Sequence, residues 1–467
     1  MPERSSPKQP RCKRPRRALF QAALAFVAAF VMAGVPMDAL VGAPAAAWAQ
    51  APGLPTLPPL PDVPAMARDG LPGTVGTVTR LADVRRLRLR DLLRANRQTL
   101  ESDPAGAPIV RHEVIAIAPS EAALTAARAA GFVVGPREAL DGLDSALVTL
   151  RAPEGVSTRQ ALERLRARDP GGVYDFNHIY SESGIAADAA WTGARQGAGG
   201  AASGSASADA VRVGLIDGGV NPHHRALVGA QVETRTFVGI AAPTLHGAAV
   251  ASLLVGRTDT FHGAAPGGHL YAADVYGGLA TGGSASAIAR AFSWIALERV
   301  AVVNVSLVGP PNRALENVVA GMVARGFVIV AAVGNDGAAA APLYPAAYPG
   351  VIGVTGVNAQ GRALVEAGRG DQVDFAAPGA DMIAADATGA FAPVRGTSFA
   401  APIVAGLLAQ RLAAPSPEGA ARAVRELAAT AEDLGERGRD RIYGAGLVGR
   451  ALRTPGPLTI TGAAARH

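Results

Sequence analysis

The second half of the chain alternates between short apolar runs and longer amphipathic segments. Runs such as 211–216 and 328–333 are almost entirely apolar, which is typical of strands buried on both faces. Segments such as 285–297 and 315–325 place their apolar residues at helical spacing. The alternation predicts an α/β fold, a doubly wound and mostly parallel sheet with helices on both faces. Further strands are predicted at 270–275, 301–305 and 351–357.

Between residues 109 and 180 the pattern changes to a compact β-α-β-β-α-β order. Residues 110–117 alternate like a strand, and Ser120 with Glu121 begins a helix that Gly131 ends. This order is that of a small α+β, ferredoxin-like domain. Its other predicted elements are strands at 132–134, 146–150 and 172–176 and a helix at 158–167.

The N-terminus has the pattern of a secretory signal peptide, which we assign to residues 1–49. A basic stretch precedes the apolar run 18–35, and Ala47-Trp48-Ala49 provides small residues for cleavage. An uncleaved membrane anchor is the alternative, and Arg16-Arg17 resembles part of a twin-arginine signal. We therefore expect an exported protein, periplasmic or extracellular. Because no second apolar run of spanning length follows, we expect no stable membrane span after signal removal.

Three further segments lie outside the two predicted folded regions. Residues 50–77 are rich in proline and glycine and are predicted to form an extended linker. Residues 78–108 are rich in arginine, with leucines at helical spacing, and predict a basic amphipathic helix. Its basic face is more typical of a solvated surface than of a membrane-binding one. Residues 454–467 form a short C-terminal tail.

The net positive charge of the chain is concentrated at its N-terminus. The chain of 467 residues has a formal net charge of +6, of which residues 1–49 carry +5. The remainder is close to neutral, so charge predicts no nucleic-acid partner. The single cysteine, Cys12, lies inside the predicted signal peptide, so we expect no disulfide in the mature protein.

Four polar side chains stand at strand ends or helix starts, where sites form in open α/β sheets. Ser398 begins an apolar helix after a turn of small residues, a position suited to a nucleophile if a base is near. His246 is the candidate base, and Asp217 would orient it. The side-chain amide of Asn335 and the backbone N–H of Ser398 are candidate donors to an oxyanion.

The segments that carry these residues resemble those of the subtilisin family of serine peptidases, the subtilases. They are 213–219, 246–251, 331–335 and 396–402, and their order, Asp before His before Ser, is that of subtilisin. The resemblance covers roughly residues 183–450. It implies a subtilisin-like fold and a serine endopeptidase that forms an acyl-enzyme on Ser398.

The ferredoxin-like region, which we bound at 109–182, resembles the propeptide of that family. The resemblance implies a domain that assists folding and whose C-terminal end occupies the active site as an inhibitor. It also implies self-processing close to residues 180–184 and a catalytic domain at 183–453. An ordinary α+β accessory domain is one alternative, and a peptidase that never sheds this domain is another.

The resemblance also implies how polypeptide substrates bind. The segment Ser306-Leu307-Val308-Gly309 would pair with an extended substrate by strand addition. The family usually has glycine where Val308 stands, and Leu343, with Gly334, would line the floor of the primary pocket. We therefore predict a preference for small or medium apolar side chains at the cleavage position.

The sequence indicates no required cofactor. Calcium takes six to eight oxygen ligands, and the loop 256–263 has Asp259 as its only carboxylate. We assign no metal ligand, and a weak calcium site elsewhere stays open. His223 and His224 follow a turn and are predicted to lie at the surface. The competing functional class is a catalytically silent binding protein on the same fold.

Overall fold

The computed structural model describes residues 74–186, 211–279, 281–386 and 388–454, all within one compact unit. The signal peptide, most of the linker and the C-terminal tail predicted above lie outside these ranges. The helices are α1 (Thr74–Ala95), α2 (Glu121–Ala129), α3 (Thr158–Arg168), α4 (Leu245–Val255), α5 (Ala285–Leu297), α6 (Arg313–Ala324), α7 (Thr397–Ala409) and α8 (Pro417–Ala428). The strands are β1 (Leu100–Ser102), β2 (Pro108–Ile117), β3 (Val133–Leu140), β4 (Ser145–Arg151), β5 (Val173–Glu182), β6 (Gly184–Ala186), β7 (Arg212–Asp217), β8 (Gln231–Thr236), β9 (His269–Asp274), β10 (Gly283–Ser284), β11 (Val302–Val305), β12 (Leu307–Val308), β13 (Val328–Ala332), β14 (Ile352–Val357), β15 (Phe375–Pro378), β16 (Met382–Ala385) and β17 (Phe391–Gly396).

Residues 211–454, here called the parallel-sheet domain, are built on a seven-stranded sheet. Its order is β15-β14-β13-β11-β7-β9-β8, and every neighbouring pair is parallel. Helices α5 and α6 cover one face, and α4 and α7 cover the other. Both faces of the inner strands are therefore buried, which is why their sequences are largely apolar, whereas the edge strand β8 is mostly exposed and polar. The predicted α/β fold is confirmed.

Residues 100–182, here called the N-terminal domain, form an antiparallel sheet of order β5-β2-β4-β3, with β1 paired to β2. Its connectivity follows the predicted β-α-β-β-α-β order. The hydroxyls of Ser120 and Ser157 cap α2 and α3 by accepting the N–H groups of Ala123 and Gln160. The two helices and one face of the sheet enclose a core of their own.

The other face of this antiparallel sheet packs against the parallel-sheet domain. Ile115, Ile117 and Leu147 belong to the same apolar cluster as Phe292 of α5 and Leu315 of α6. Burial of such side chains contributes about 1.5–3 kcal/mol each. The contact fixes β5 at the edge where the candidate chemistry lies.

Helices α4 and α7 are buried around their whole circumference, which their small residues allow. A Cβ placed on Gly406 of α7 would lie 2.5 Å from the Cβ of Ala264, so the helix can pass only where glycine stands. The two helices pack against each other beneath the sheet. Their first turns, which carry His246 and Ser398, are thereby held together.

The prediction that His224 lies at the surface is wrong. Its side chain is 2% exposed, its Nδ1 accepts the N–H of Ala226 at 3.0 Å, and its ring packs on Phe391. His223, in contrast, is exposed. Within the described ranges, none of the helices has the length and apolarity required to cross a bilayer.

Candidate functional site

Asp217 and His246 form a buried hydrogen-bonded pair at the carboxyl edge of the parallel sheet. Asp217 is the last residue of β7, and His246 lies in the first turn of α4. The Nδ1 of His246 lies 2.8 Å from Oδ1 of Asp217, and both side chains are at most 1% exposed. The carboxylate therefore fixes the ring so that its other nitrogen, Nε2, faces away from Asp217.

Glycines in α4 and in the turn after Asp217 make the contact between Asp217 and His246 possible. A Cβ on Gly247 would lie 2.5 Å from the carbonyl oxygen of Gly218 and 2.7 Å from that of Gly219. Helix α4 can therefore approach the turn after Asp217 only with glycine next to His246. The hydroxyl of Thr244 caps the same helix by accepting the N–H of Gly247 at 2.9 Å.

The charges around His246 favour its protonated form in this arrangement. Burial lowers the pKa of His246, but the negative charges of Asp217 and Glu182 and the hydrogen bond to Asp217 outweigh burial and raise that pKa to about 9. Glu182 belongs to β5 of the N-terminal domain. Strand β5 thus adds to the effect of Asp217 in favouring the imidazolium.

Ser398 lies in the first turn of α7, two residues after a strained glycine. Gly396 has φ 144° and ψ 164°, a conformation that essentially only glycine adopts. Ser398 is buried, its Oγ has no hydrogen-bond partner among the described residues, and the same holds for Nε2 of His246. The ring of His246 lies 5.3 Å from that of Phe399, the residue after Ser398, so the first turns of α4 and α7 meet at this edge.

Asn335 follows β13 and reaches the start of the same helix. Its Oδ1 accepts the N–H of Thr397 at 3.1 Å. Its Nδ2 is buried and has no partner in the described part of the chain. The amide is therefore oriented with its donor free, as a donor to a developing oxyanion must be. Gly334, just before it, donates its N–H to the hydroxyl of Thr397 at 3.2 Å.

The segment Ser306-Leu307-Val308-Gly309 is tied to Ser398 through its first residue. The hydroxyl of Ser306 donates to the carbonyl of Ser398 at 2.9 Å and accepts from Nδ2 of Asn304, also at 2.9 Å. Leu307 and Val308 form the short strand β12. The structure thus places the predicted substrate-pairing segment beside Ser398.

Strand β5 lies along this segment in an extended conformation. Val308 pairs with Ser181 and Leu307 with Glu182 in antiparallel register. On the other side of β5, Gly283 of β10 pairs with Tyr180. The end of the N-terminal domain is therefore a middle strand between two strands of the parallel-sheet domain.

After β5, the chain passes the candidate nucleophile, Ser398. The hydroxyl of Ser183 donates to the carbonyl of Ser306 at 3.3 Å, and Gly184 of β6 pairs with Gly396 of β17. Ser306 and Gly396 both flank Ser398. The peptide bond between Ser183 and Gly184 therefore lies between two segments that both adjoin Ser398.

Tyr180 anchors this extended segment in a deep pocket. Its side chain is 0% exposed, and its hydroxyl donates to the carbonyl of Pro310 at 2.9 Å. A Cβ on Gly309 would lie 2.5 Å from Cδ1 of Tyr180, so the ring lies directly on the backbone there. Burial raises the pKa of Tyr180 well above its ordinary value.

Leu343 lies against Gly334, as the sequence suggested for the floor of the primary pocket. A Cβ on Gly334, whose φ is +95°, would lie 2.5 Å from Cδ1 of Leu343. The neighbouring Tyr344 exchanges both backbone hydrogen bonds with Gly309, at 2.9 and 3.1 Å. The ten predicted site residues therefore converge on one cleft.

Three polar residues of this region were missed by the sequence analysis. Glu182 raises the pKa of His246, as described above. Asp175 accepts the N–H of Arg313 at 2.6 Å, and Asn177 accepts the N–H of Ser286 at 3.1 Å, so β5 caps the first turns of α6 and α5. The signal that could have found them is the spacing of 175 and 177, which places both on one face of a strand.

The described residues contain no group of three or more His, Cys, Asp or Glu side chains arranged to hold a metal ion. Asp259, the only carboxylate of the 256–263 loop, therefore belongs to no such group.

Comparison with known proteins gives one family and several relatives. A family model described as the subtilase family matches residues 208–446, just over half of the chain. Minor extracellular protease Epr of Bacillus subtilis (strain 168) is 27% identical over 51% of this chain and 37% of its own length. Subtilisin E of the same strain is 31% identical over 51% of this chain and 64% of its own length. The chain thus spans less than two thirds of these two relatives. The solved structure of the prenylagaramide maturation protease PagA is 26% identical, covering 52% of this chain and 92% of that chain with a TM-score of 0.46.

Proposed function

The chain belongs to the subtilase family, and from this premise we propose that it is an exported serine endopeptidase made as a self-inhibited precursor. The observation that carries the proposal is the buried Asp217–His246 hydrogen bond of 2.8 Å at the sheet edge that also holds Ser398. A catalytically silent binding protein would have no need of a buried Asp–His pair at this edge. Burying charged groups lowers the stability of the fold unless other interactions compensate for it.

In the proposed reaction, Ser398 Oγ attacks the carbonyl carbon of the scissile bond. Nε2 of His246, in its neutral form, takes the hydroxyl proton and then gives it to the leaving amine. Asp217 holds the ring and stabilises the imidazolium that forms. The acyl group on Ser398 is then released by water, with His246 again acting as the base.

The oxyanion of the tetrahedral intermediate would accept from Nδ2 of Asn335 and from the backbone N–H of Ser398. The free, buried amide of Asn335 supports this role, since Thr397 already satisfies its oxygen. Such preorganised donors stabilise the transition state because they need no reorientation when charge develops.

We propose that the N-terminal domain is the propeptide and that the first bond cut is Ser183–Gly184. The pairing of Ser181 and Glu182 with β12 and of Gly184 with β17 supports this position. After cleavage the N-terminal domain would still fill the cleft, because its contacts on α5 and α6 do not depend on the cut bond.

The substrates would be polypeptides bound by the same strand pairing. Leu343 against Gly334 and the small Ser183 support a preference for small or medium apolar side chains at the cleavage position. The signal pattern of residues 1–49 supports export, to the periplasm or outside the cell. We propose that catalysis requires no metal cofactor, so that a chelator leaves the rate unchanged.

A fluorophosphonate probe tests the activity directly. The processed wild-type protein should be labelled at one serine, and the S398A variant should not be labelled. Absence of labelling from the wild type at pH 9 would contradict the proposal and favour the silent binding protein, whereas labelling that persists in S398A would contradict the role of Ser398 as the nucleophile. Adding a chelator to the same assay tests the cofactor proposal.

A further inference from the structure

The loop between β14 and β15 is hydrogen-bonded to both ends of the turn that carries Asn335. At one end, Gly368 donates its N–H to the carbonyl of Gly334 at 3.0 Å. At the other end, Gly337 donates its N–H to the carbonyl of Glu366 at 2.7 Å. Asn335 lies between these two attachment points, so the loop fixes the backbone from which its side-chain amide extends.

The side chain of Glu366 reaches the other turn of the site, the one that leads to Ser398. Its two carboxylate oxygens lie 2.7 Å from Nε and 2.9 Å from Nη2 of Arg395, in a bidentate ion pair. Arg395 is the third residue before Ser398 and directly precedes Gly396. Through its carbonyl and its carboxylate, Glu366 thus joins the turn of Asn335 to the turn of Ser398.

Both partners of this ion pair extend from backbone that is itself held in place. The carboxylate side chain of Glu366 is 13% exposed, and the loop around it is anchored by Leu364 and Ala367, which are buried with Ala380. Arg395 belongs to β17, which pairs with β16 on one side and with β6 on the other. A bidentate arginine–carboxylate pair fixes orientation as well as distance. The pair is therefore suited to hold the two turns at a constant separation.

A glycine lies between the ion pair and Ser398. Gly396 has φ 144°, and no side chain restricts its backbone to that conformation. On the side of Ser398, Thr397 is already held by its bonds to Asn335 and Gly334. The ion pair holds the residue on the other side. The conformation of Gly396 is thus set by attachments before and after it.

The two turns supply the two donors proposed for the oxyanion. One oxygen must lie within hydrogen-bond distance of both Nδ2 of Asn335 and the N–H of Ser398, so the spacing of the turns decides whether both bonds form. A misplacement of about 1 Å can lower a rate about 100-fold. We propose that Glu366 and Arg395 are positioning residues that set this spacing and do not touch the reacting atoms. The inference rests on the proposed endopeptidase function and adds two residues to it.

Steady-state kinetics of the processed enzyme tests this role. E366Q keeps the shape of the side chain, but it removes the negative charge and one of the two acceptors that face Arg395. It should lower kcat about tenfold and change KM less than about twofold, because the oxyanion forms only in the transition state. The rate is counted per serine labelled by the fluorophosphonate probe, so that unfolded protein does not enter kcat.

The matched control is E432Q. Glu432 and Arg450 form a bidentate ion pair with nearly the same distances, 2.8 and 2.9 Å, in the same domain. No hydrogen bond among the described residues joins either of them to the turns of Asn335 and Ser398, so E432Q should keep the wild-type kcat. An equal loss of kcat in E366Q and E432Q would reduce the pair to a general stabiliser of the fold and overturn the inference.

A double variant tests whether the two residues act through each other. R395Q should lower kcat about as much as E366Q, and the variant with both changes should be no slower than either, because all three lose the same contact. Losses that multiply in the double variant would contradict the inference. A raised KM with unchanged kcat would also contradict it, since Arg395 pairs with Ile185 and the pair would then act on substrate binding after the scissile bond.

The same measurements separate this inference from the function on which it rests. A wild type without peptidase activity would overturn the endopeptidase function and the positioning role together. An active wild type beside an E366Q variant with the wild-type kcat would overturn the positioning role alone.

Discussion

The parallel-sheet domain and the N-terminal domain meet at one cleft but bring opposite kinds of groups to it. The first brings buried polar atoms that have no partner among the described residues: Nε2 of His246, Oγ of Ser398 and Nδ2 of Asn335. The second brings groups that are already paired, namely the backbone of β5 and the hydroxyl of Tyr180. Unpaired donors and acceptors suit a reaction, whereas a fully paired strand suits a bound inhibitor.

The difference teaches that chemistry and occlusion are carried by separate residues. A substitution in one set should therefore leave the other function intact, except at Glu182, whose charge acts on His246 while β5 is in place. Tyr180, Asp175 and Glu182 belong to the N-terminal domain, so once that domain has been removed from the processed enzyme they should not affect its rate. Asn335 touches no residue of β5 through its side chain among the described hydrogen bonds, so it should not affect how the domain is held.

The largest effect should come from the anchor of the occluding strand. In an S398A precursor, Y180A should lower the free energy of unfolding by about 3–5 kcal/mol, because it empties a closed pocket. Y180F, the matched control, loses only the bond to Pro310 and should cost about 1 kcal/mol. Denaturant unfolding measures both. Equal stability of Y180A and the wild type would show that Tyr180 does not anchor the occluding strand.

The next largest effect should fall on catalysis alone. N335A in the processed enzyme should lower kcat about 100- to 1000-fold, the loss known for the matching asparagine of a subtilisin. KM should change little, since the amide acts on the transition state. N335D keeps the oxygen that accepts from Thr397 and should be nearly as impaired. A rate that survives N335A would exclude this oxyanion donor.

The helix caps supplied by β5 should have a smaller effect. D175A in the S398A precursor should lower the free energy of unfolding by about 1 kcal/mol, because α6 loses an acceptor at its first turn. N177A should do the same at α5. E154A removes an exposed carboxylate of the same domain and serves as the control. If E154A lowers the free energy of unfolding as much as D175A does, the contact of Asp175 with α6 does not stabilise the N-terminal domain.

The smallest effect is a shift in pH dependence. Because the pKa of His246 in the precursor is raised to about 9, its neutral form, the base, is gained as pH rises towards that value. Self-processing should therefore accelerate with pH up to about 9. E182Q removes one of the negative charges and should shift the midpoint to lower pH. Identical pH profiles of E182Q and the wild type would show that Glu182 does not raise the pKa of His246.

Much of the fold could be predicted because its signals are local. The apolar run of β13 reflects burial on both faces, and the helical spacing of α6 reflects burial on one face, which periodicity reports. The candidate catalytic residues were also found locally, since each stands within two residues of a glycine. Gly247 next to His246 and Gly396 before Ser398 are examples, as their geometry shows.

What could not be predicted depends on contacts between distant segments. Strand β5 runs to Glu182, whereas the pattern predicted its end at 176, because Asn177 and His178 are polar in sequence but buried against Ser286 and Asn312. The burial of His224 against Phe391 and the contact of Arg85 with Asp336 also join segments that are far apart in the sequence. Periodicity carries no information on such partners.

The central claim is that Ser398 cuts the chain that lies across it, between Ser183 and Gly184. Mass measurement of the purified wild type beside S398A tests this most directly. We predict that the wild type yields a fragment whose first residue is Gly184 and that S398A stays uncut. A wild-type chain that remains whole, or an S398A chain cut at the same bond, would contradict the claim.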